Sequence, residues 1–350
     1  MSATVVGGWM HRGAVWLAVL LVALLAACSH HTTGSTTPPD RQPQLDELTQ
    51  QLQKMPGVTS VTDKLVNDPD HGQVYFNVEV QLAGDVTGDQ LAAITARYLD
   101  ALRTVDYAPY KGNFRARRGF DYFAIDTSAP DIANTDQINR QAHSWVDLLR
   151  EFPEATVYFR PTVVVAQGSS ANQGDSHPSS GTITIPIDAD YTAVATTFAA
   201  LGTKFADLSS GEWKVIAGKS LGGGIETSGR LPNQAEIDVW NKLNGDQFIP
   251  HIDVMSIDSS GNGPPLWVSE GPQSADPDVA IRLARAHLPI VATLPLPILY
   301  TASDQMERRL DAHGRAVGPV AITIGGCTQR AYLPSPAEQE LIDQYEKCHE

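Results

Sequence analysis

The stretch QINRQAHSWVDLLREFPEATVYFR, Gln137 to Arg160, changes its hydrophobic period at a proline. Up to Phe152 the apolar residues Ile138, Ala142, Trp145, Leu148 and Phe152 recur every three or four positions, the spacing of one buried helix face. Beyond Pro153, β-branched and aromatic residues crowd together as in a strand. The same junction, a large apolar residue followed by proline, stands at Met55-Pro56 and at Ile249-Pro250, so successive prolines lie 97 residues apart both times. Equal intervals with matching flanks mark a duplicated unit.

The flanks do match. Leu45, Leu48, Leu52 and Met55 form the stripe before the first proline, and Ile237, Trp240 and Leu243 the stripe before the third. After each proline come two β-rich runs around a turn cluster, then a second amphipathic stretch, then two shorter strand-like runs. In the third unit the second helix carries its own start signal, with Asp276 as cap and Pro277 at the first helical position. The fold expected from this pattern is α+β: three tandem α-β-β-α-β-β sandwich modules, residues 44–130, 131–231 and 232–326, each a four-stranded antiparallel sheet backed by two helices. Residues 327–350 echo the opening helix of a unit and are expected to form a capping helix that covers the last sheet.

At the other end, an apolar run from Ala14 to Ala27 is too short to cross a bilayer as a helix and has the length of a signal segment, with Met1 or Met10 as candidate starts. It ends in Leu25-Ala26-Ala27-Cys28, followed by a Thr/Pro-rich tether over 28–43. This L-A-A-C ending resembles the lipobox of bacterial lipoproteins. The resemblance implies cleavage after Ala27, a thioether-linked diacylglycerol on Cys28, and a protein held on the extracytoplasmic face of the cell membrane. Each buried methylene contributes about 0.8 kcal/mol, so two or three acyl chains hold where one would let go. The Ala-, Gly- and Asp-rich composition resembles that of actinobacterial envelope lipoproteins.

With Cys28 given to lipid, Cys327 and Cys348 remain as an even pair in an oxidising compartment and are expected to be joined. The whole chain carries 25 basic against 40 acidic residues, and loss of the leader removes Arg12 and no acid. That charge opposes nucleic acid and stands the body off anionic headgroups.

Candidate chemistry is sparse. GKSLG, Gly218 to Gly222, fits the G-x-S-x-G nucleophile elbow with Ser220 as nucleophile and a base from His251, His287 or His313. An elbow needs a helix directly after the serine, whereas glycines and Pro232 come next here, so a hairpin is expected and a serine hydrolase is the alternative reading. The same residues lack the leading glycine of a P-loop, which would fall at Trp213. DSSGNG, Asp258 to Gly263, resembles half an EF-hand loop but has Ser269 where the bidentate Glu belongs and is read as a turn. None of the ten histidines stands in a ligand motif, so neither metal nor cofactor is expected, and His30 and His31 lie in the tether. The one dense basic run is RARRG, where Arg115, Arg117 and Arg118 are candidate contacts for an anionic partner. The function expected is non-catalytic binding or scaffolding in the cell envelope, with a partner that is protein, glycan or lipid; carriage of a lipid between sheet and helices is a further alternative.

Overall fold

The computed structural model describes residues 38–166, 175–186, 191–217, 222–258, 264–303 and 310–348. Over these residues the chain repeatedly runs one helix into two strands. The first two such units are α1 (Gln42–Gln53), β1 (Val58–Asp68), β2 (Gln73–Leu82) and α2 (Gly88–Thr104), β3 (Lys111–Arg118), β4 (Asp121–Ile125). The next two are α3 (Thr135–Glu151), β5 (Thr156–Arg160), β6 (Ser180–Ile185) and α4 (Thr192–Lys204), β7 (Glu212–Ala217), β8 (Gly224–Thr227). Then come α5 (Gln234–Gly245), β9 (His251–Ile257), β10 (Leu266–Pro272) and α6 (Pro277–Val291), β11 (Ile298–Ala302), β12 (Val320–Ile324), closed by α7 (Pro336–Tyr345). Helix starts obey local chemistry: Thr87 with Gln90 and Asn233 with Glu236 make reciprocal capping boxes, and the Asp276 carboxylate accepts from the Asp278 N–H.

These elements do not form three separate sandwiches. All twelve strands join one mixed sheet in sequential order, β1 to β12, so the fold is α/β and the three-module α+β expectation is corrected. Strands that follow one another without an α-helix between them pair antiparallel, as β3 does with β4. Strands joined through a helix pair parallel, because the helix carries the chain back to the edge it started from. Thus β2 pairs with β3, and β4 with β5 and β8 with β9 across the expected boundaries at 130/131 and 231/232. A four-stranded module would leave two rows of unpaired backbone groups, and continuous pairing satisfies them everywhere except at β1 and β12. The repeating element is therefore α-β-β, half the unit expected.

Register defines the two faces. Val80, Ala116, Phe123, Phe159, Gly181, Trp213, Thr227, Ile257 and Leu266 are partners in turn from β2 to β10 and are all buried. The apolar members of this row pack with the buried stripes of α1 to α7 in one continuous core, so the helices cover this face. Gly181 is required there, since a Cβ would come within 2.3 Å of the Trp213 ring.

At the C-terminal end the sheet is closed on both sides: every residue of β10 and β11 is buried, including Trp267 and Leu299 on the face away from the helices. There the Trp267 indole donates to the Thr301 hydroxyl at 2.9 Å. Helix α7 packs on β12 and α6 through the buried Leu341. Cys327 and Cys348 are bonded at a sequence separation of 21, and the segment they close contains α7. Reduction, or Cys327→Ser/Cys348→Ser, is expected to remove about 3 kcal/mol of the stability of this end. Amide hydrogen exchange reads the loss as faster exchange in α7 and β12 than in β1 to β4.

Candidate functional site

On the face away from the helices a second row runs through register partners: Gln81, Arg117, Tyr122, Tyr158, Thr182, Lys214 and Glu226, from β2 to β8. None of these seven is fully buried. The row alternates charge, aromatic ring and hydroxyl. Tyr122 and Tyr158 touch with ring centroids 4.5 Å apart, and the Arg115 guanidinium lies 5.8 Å from the Tyr122 ring centre. The Arg117 guanidinium reaches Glu79 at 3.4 Å and the Lys214 ammonium reaches Glu226 at 2.6 Å. Two hollows open on this side. One of about 290 Å³ is lined by Tyr75, Asn77, Glu79, Asn113 and Arg115, and one of about 310 Å³ by Ser180, Thr182, Lys214 and Glu226.

The basic run therefore sits in strand β3, with the turn at Gly119 beyond it. Alternation sends Arg115 and Arg117 to the open face, while Arg118 stands 3.5 Å from Asp121 across the hairpin. Arg117 belongs to the polar row, and Arg115 lies beside it on the same face.

Ser220 lies outside the described residues, as do Cys28, His30 and His31. The element after β7 is β8, antiparallel to it, with the Ala217 N–H donating to the Gly223 carbonyl at 2.9 Å; the elbow-like stretch thus leads into a strand and not a helix. A Cβ on Gly222 would come within 1.8 Å of the Ala217 carbonyl oxygen, which explains the glycine run by close backbone approach. Residues 259–263 of the EF-hand-like stretch are also outside the described residues, and the Asp258 carboxylate beside them accepts from Arg230 at 2.6 Å. His313 is exposed, whereas His251 and His287 come together inside the protein.

They do so at the helix-covered face near the start of β9. His251 and Asp253 alternate inward on β9, Glu270 lies opposite Asp253 on β10, and α6 brings His287 over them; each is no more than 2 % exposed. The His287 Nδ1 is 2.6 Å from a Glu270 carboxylate oxygen, and the Tyr300 hydroxyl donates to the other oxygen. The His251 Nδ1 lies 2.5 Å from the Ile249 carbonyl; a carbonyl only accepts, so this nitrogen donates and Nε2 faces the cluster. Nε2 stands 3.5 Å from Asp253, an ion-pair separation too long for a hydrogen bond, and both Asp253 oxygens are without a hydrogen-bond partner.

Burial and pairing compete in this cluster. Burial alone would lower the His251 pKa, but Asp253 and the Ile249 carbonyl favour the charged ring and hold it at about 9. Burial lifts Glu270 to about 7, against the pull of His287 and Tyr300 on the ionised form. His287 is raised because Glu270 outweighs its burial.

No family model matches the chain, and no curated protein or solved structure matches it. The functional reading therefore rests on the two constellations themselves.

Sequence spacing missed the inner one. Its members are 2, 17 and 17 residues apart along the chain, a pattern no linear motif describes. One signal was available: in HIDVMSI, His251 and Asp253 share the strand parity of Met255 and Ile257, so two ionisable residues occupy core positions.

Proposed function

We propose that this protein is a lipid-anchored, non-catalytic binding protein of the cell envelope, held outside the cytoplasm by acyl chains on Cys28 and presenting the open sheet face to an envelope glycan. The observation that supports it is the polar row on β2 to β8. Tyrosine rings offer flat apolar surface to sugar faces, and the Asn, Arg and Thr side chains beside them offer donors and acceptors for hydroxyls. Side chains of such a row are already ordered by their neighbours, which reduces the entropy lost on binding. Among the described residues no helix is long and apolar enough to cross a membrane, so attachment in this reading falls to the lipid.

The test is retention of envelope polysaccharide by the acylated protein. Tyr122→Ala/Tyr158→Ala is expected to weaken retention about tenfold or more, the scale of losing an aromatic anchor, with the melting temperature nearly unchanged because both rings are partly exposed. Cys28→Ala should leave binding intact and move the protein from the membrane to the aqueous fraction. Retention unaffected by the double substitution sinks the assignment of the face. Labelling of Ser220 by a fluorophosphonate, abolished by Ser220→Ala, sinks the non-catalytic reading.

A further inference from the structure

The inner cluster owes nothing to the open face, and it holds a feature that packing leaves unexplained. Asp253 is 1 % exposed and faces the His251 ring across 3.5 Å, yet neither of its carboxylate oxygens has a hydrogen-bond partner, although buried polar atoms are nearly always hydrogen-bonded. Beside it, the His251 Nε2 is also buried without a hydrogen-bond partner. Three neighbours, His251, Glu270 and His287, each offer one donor atom such that all three atoms lie within 4.8 Å of one another.

We propose that His251, Glu270 and His287, with Asp253 beside them, form a site for one divalent transition-metal ion of the zinc class. Four arguments converge. Two imidazoles and two carboxylates are a donor set that suits Zn²⁺ and its neighbours, while the scarcity of oxygen donors disfavours Ca²⁺ and Mg²⁺. The charges close: as the ion enters, the imidazoles give up their protons to solvent, and two carboxylates against one divalent ion leave a buried site with no net charge. The supports are those that metal-binding histidines use, since the His251 Nδ1 is held by a backbone carbonyl and Glu270 is held by the Tyr300 hydroxyl. The spacing is near what is needed: donors around a tetrahedral ion sit roughly 3.3 Å apart, so the widest pair closes by about 1.5 Å at most, and the 2.6 Å contact between the His287 Nδ1 and Glu270 opens to admit the ion. Between the cluster and solvent stands Asp246, just past the end of α5, with its carboxylate 3.7 Å from the His287 Nε2 and half exposed.

The experiment uses the full-length acylated protein carrying His30→Ala/His31→Ala, so that the tether histidines bind nothing, stripped with a chelator and titrated with Zn²⁺ by calorimetry and with Co²⁺ by visible absorption. Expected are one ion per chain, a dissociation constant below about 1 μM, and the intense absorption of four-coordinate Co²⁺. Asp253→Asn keeps the side-chain shape and removes the carboxylate charge; it should weaken Zn²⁺ at least tenfold while the metal-free protein keeps the circular dichroism of the parent. Glu270→Gln, which keeps an acceptor for Tyr300, gives the same reading should the first variant fail to fold. The proposal is overturned by a stoichiometry near zero, by the weak spectrum of six-coordinate Co²⁺, or by variants that fold and bind as tightly as the parent.

Discussion

Trp145→Ala is expected to destabilise the protein by about 3–5 kcal/mol, the range for emptying a fully buried indole site. Trp145 projects from α3 into the core with no exposed surface, its ring 6.3 Å from that of Phe123 on β4. Phe123 in turn lies 6.1 Å from Phe159 on β5, and Phe159 stacks at 5.8 Å on Trp213 of β7. The cavity therefore opens where the first and second expected modules meet, and the neighbouring rings are too tightly held to close it. Trp145→Phe keeps a ring in place and removes an indole N–H that has no hydrogen-bond partner, so it should cost no more than about 1.5 kcal/mol. Urea unfolding checks both. Because sheet and core are continuous, far-UV circular dichroism should trace the same transition as the fluorescence of Trp145, Trp213, Trp240 and Trp267, with no separate step for residues 44–130.

The second large effect lies at the C-terminal cap. Glu338 is fully buried in the first turn of α7, where its carboxylate accepts from the Ala321 N–H at 3.1 Å and the Tyr332 hydroxyl at 2.6 Å. Arg330 is the cation of this cluster, 3.6 Å from Glu338 and bonded to Glu346. Arg330→Met should cost about 3–5 kcal/mol near neutral pH, because it leaves the Glu338 charge buried without a counter-ion. Burial already holds the Glu338 carboxyl above its ordinary pKa, against the opposing pull of Tyr332, Ala321 and Arg330. Loss of the arginine widens that upward shift. A carboxyl whose pKa is higher in the folded than in the unfolded state contributes stability at low pH that is lost as pH rises through its titration. The deficit of the variant should therefore shrink on acidification toward the ordinary carboxylate range, in parallel denaturation series of variant and parent. A deficit that does not change with pH would assign the loss to packing of the arginine stem instead.

Local sequence determined a great deal. The change of hydrophobic period at Phe152-Pro153 and its two counterparts located the helix-to-strand junctions after α1, α3 and α5, because the helix repeat of 3.6 and the strand repeat of 2 leave different marks on one chain. Order of elements, the hairpins, the capping residues Asp276 and Pro277 and the bridge between Cys327 and Cys348 are set by neighbours within about twenty residues.

Partners further apart were decided only by the tertiary structure. A strand such as β4 carries the same alternation whether its free edge meets solvent or β5, since backbone hydrogen-bonding groups are identical in every residue and write no signature into side-chain order. One sheet or three is therefore a matter of which edges meet. The same pairing assembles both constellations: it aligns Tyr122 with Tyr158 across a junction expected to divide domains, and it sets Glu270 of β10 against Asp253 of β9 so that α6 can lower His287 onto them. Sequence determined which way each side chain faces, and register alone decided what it faces.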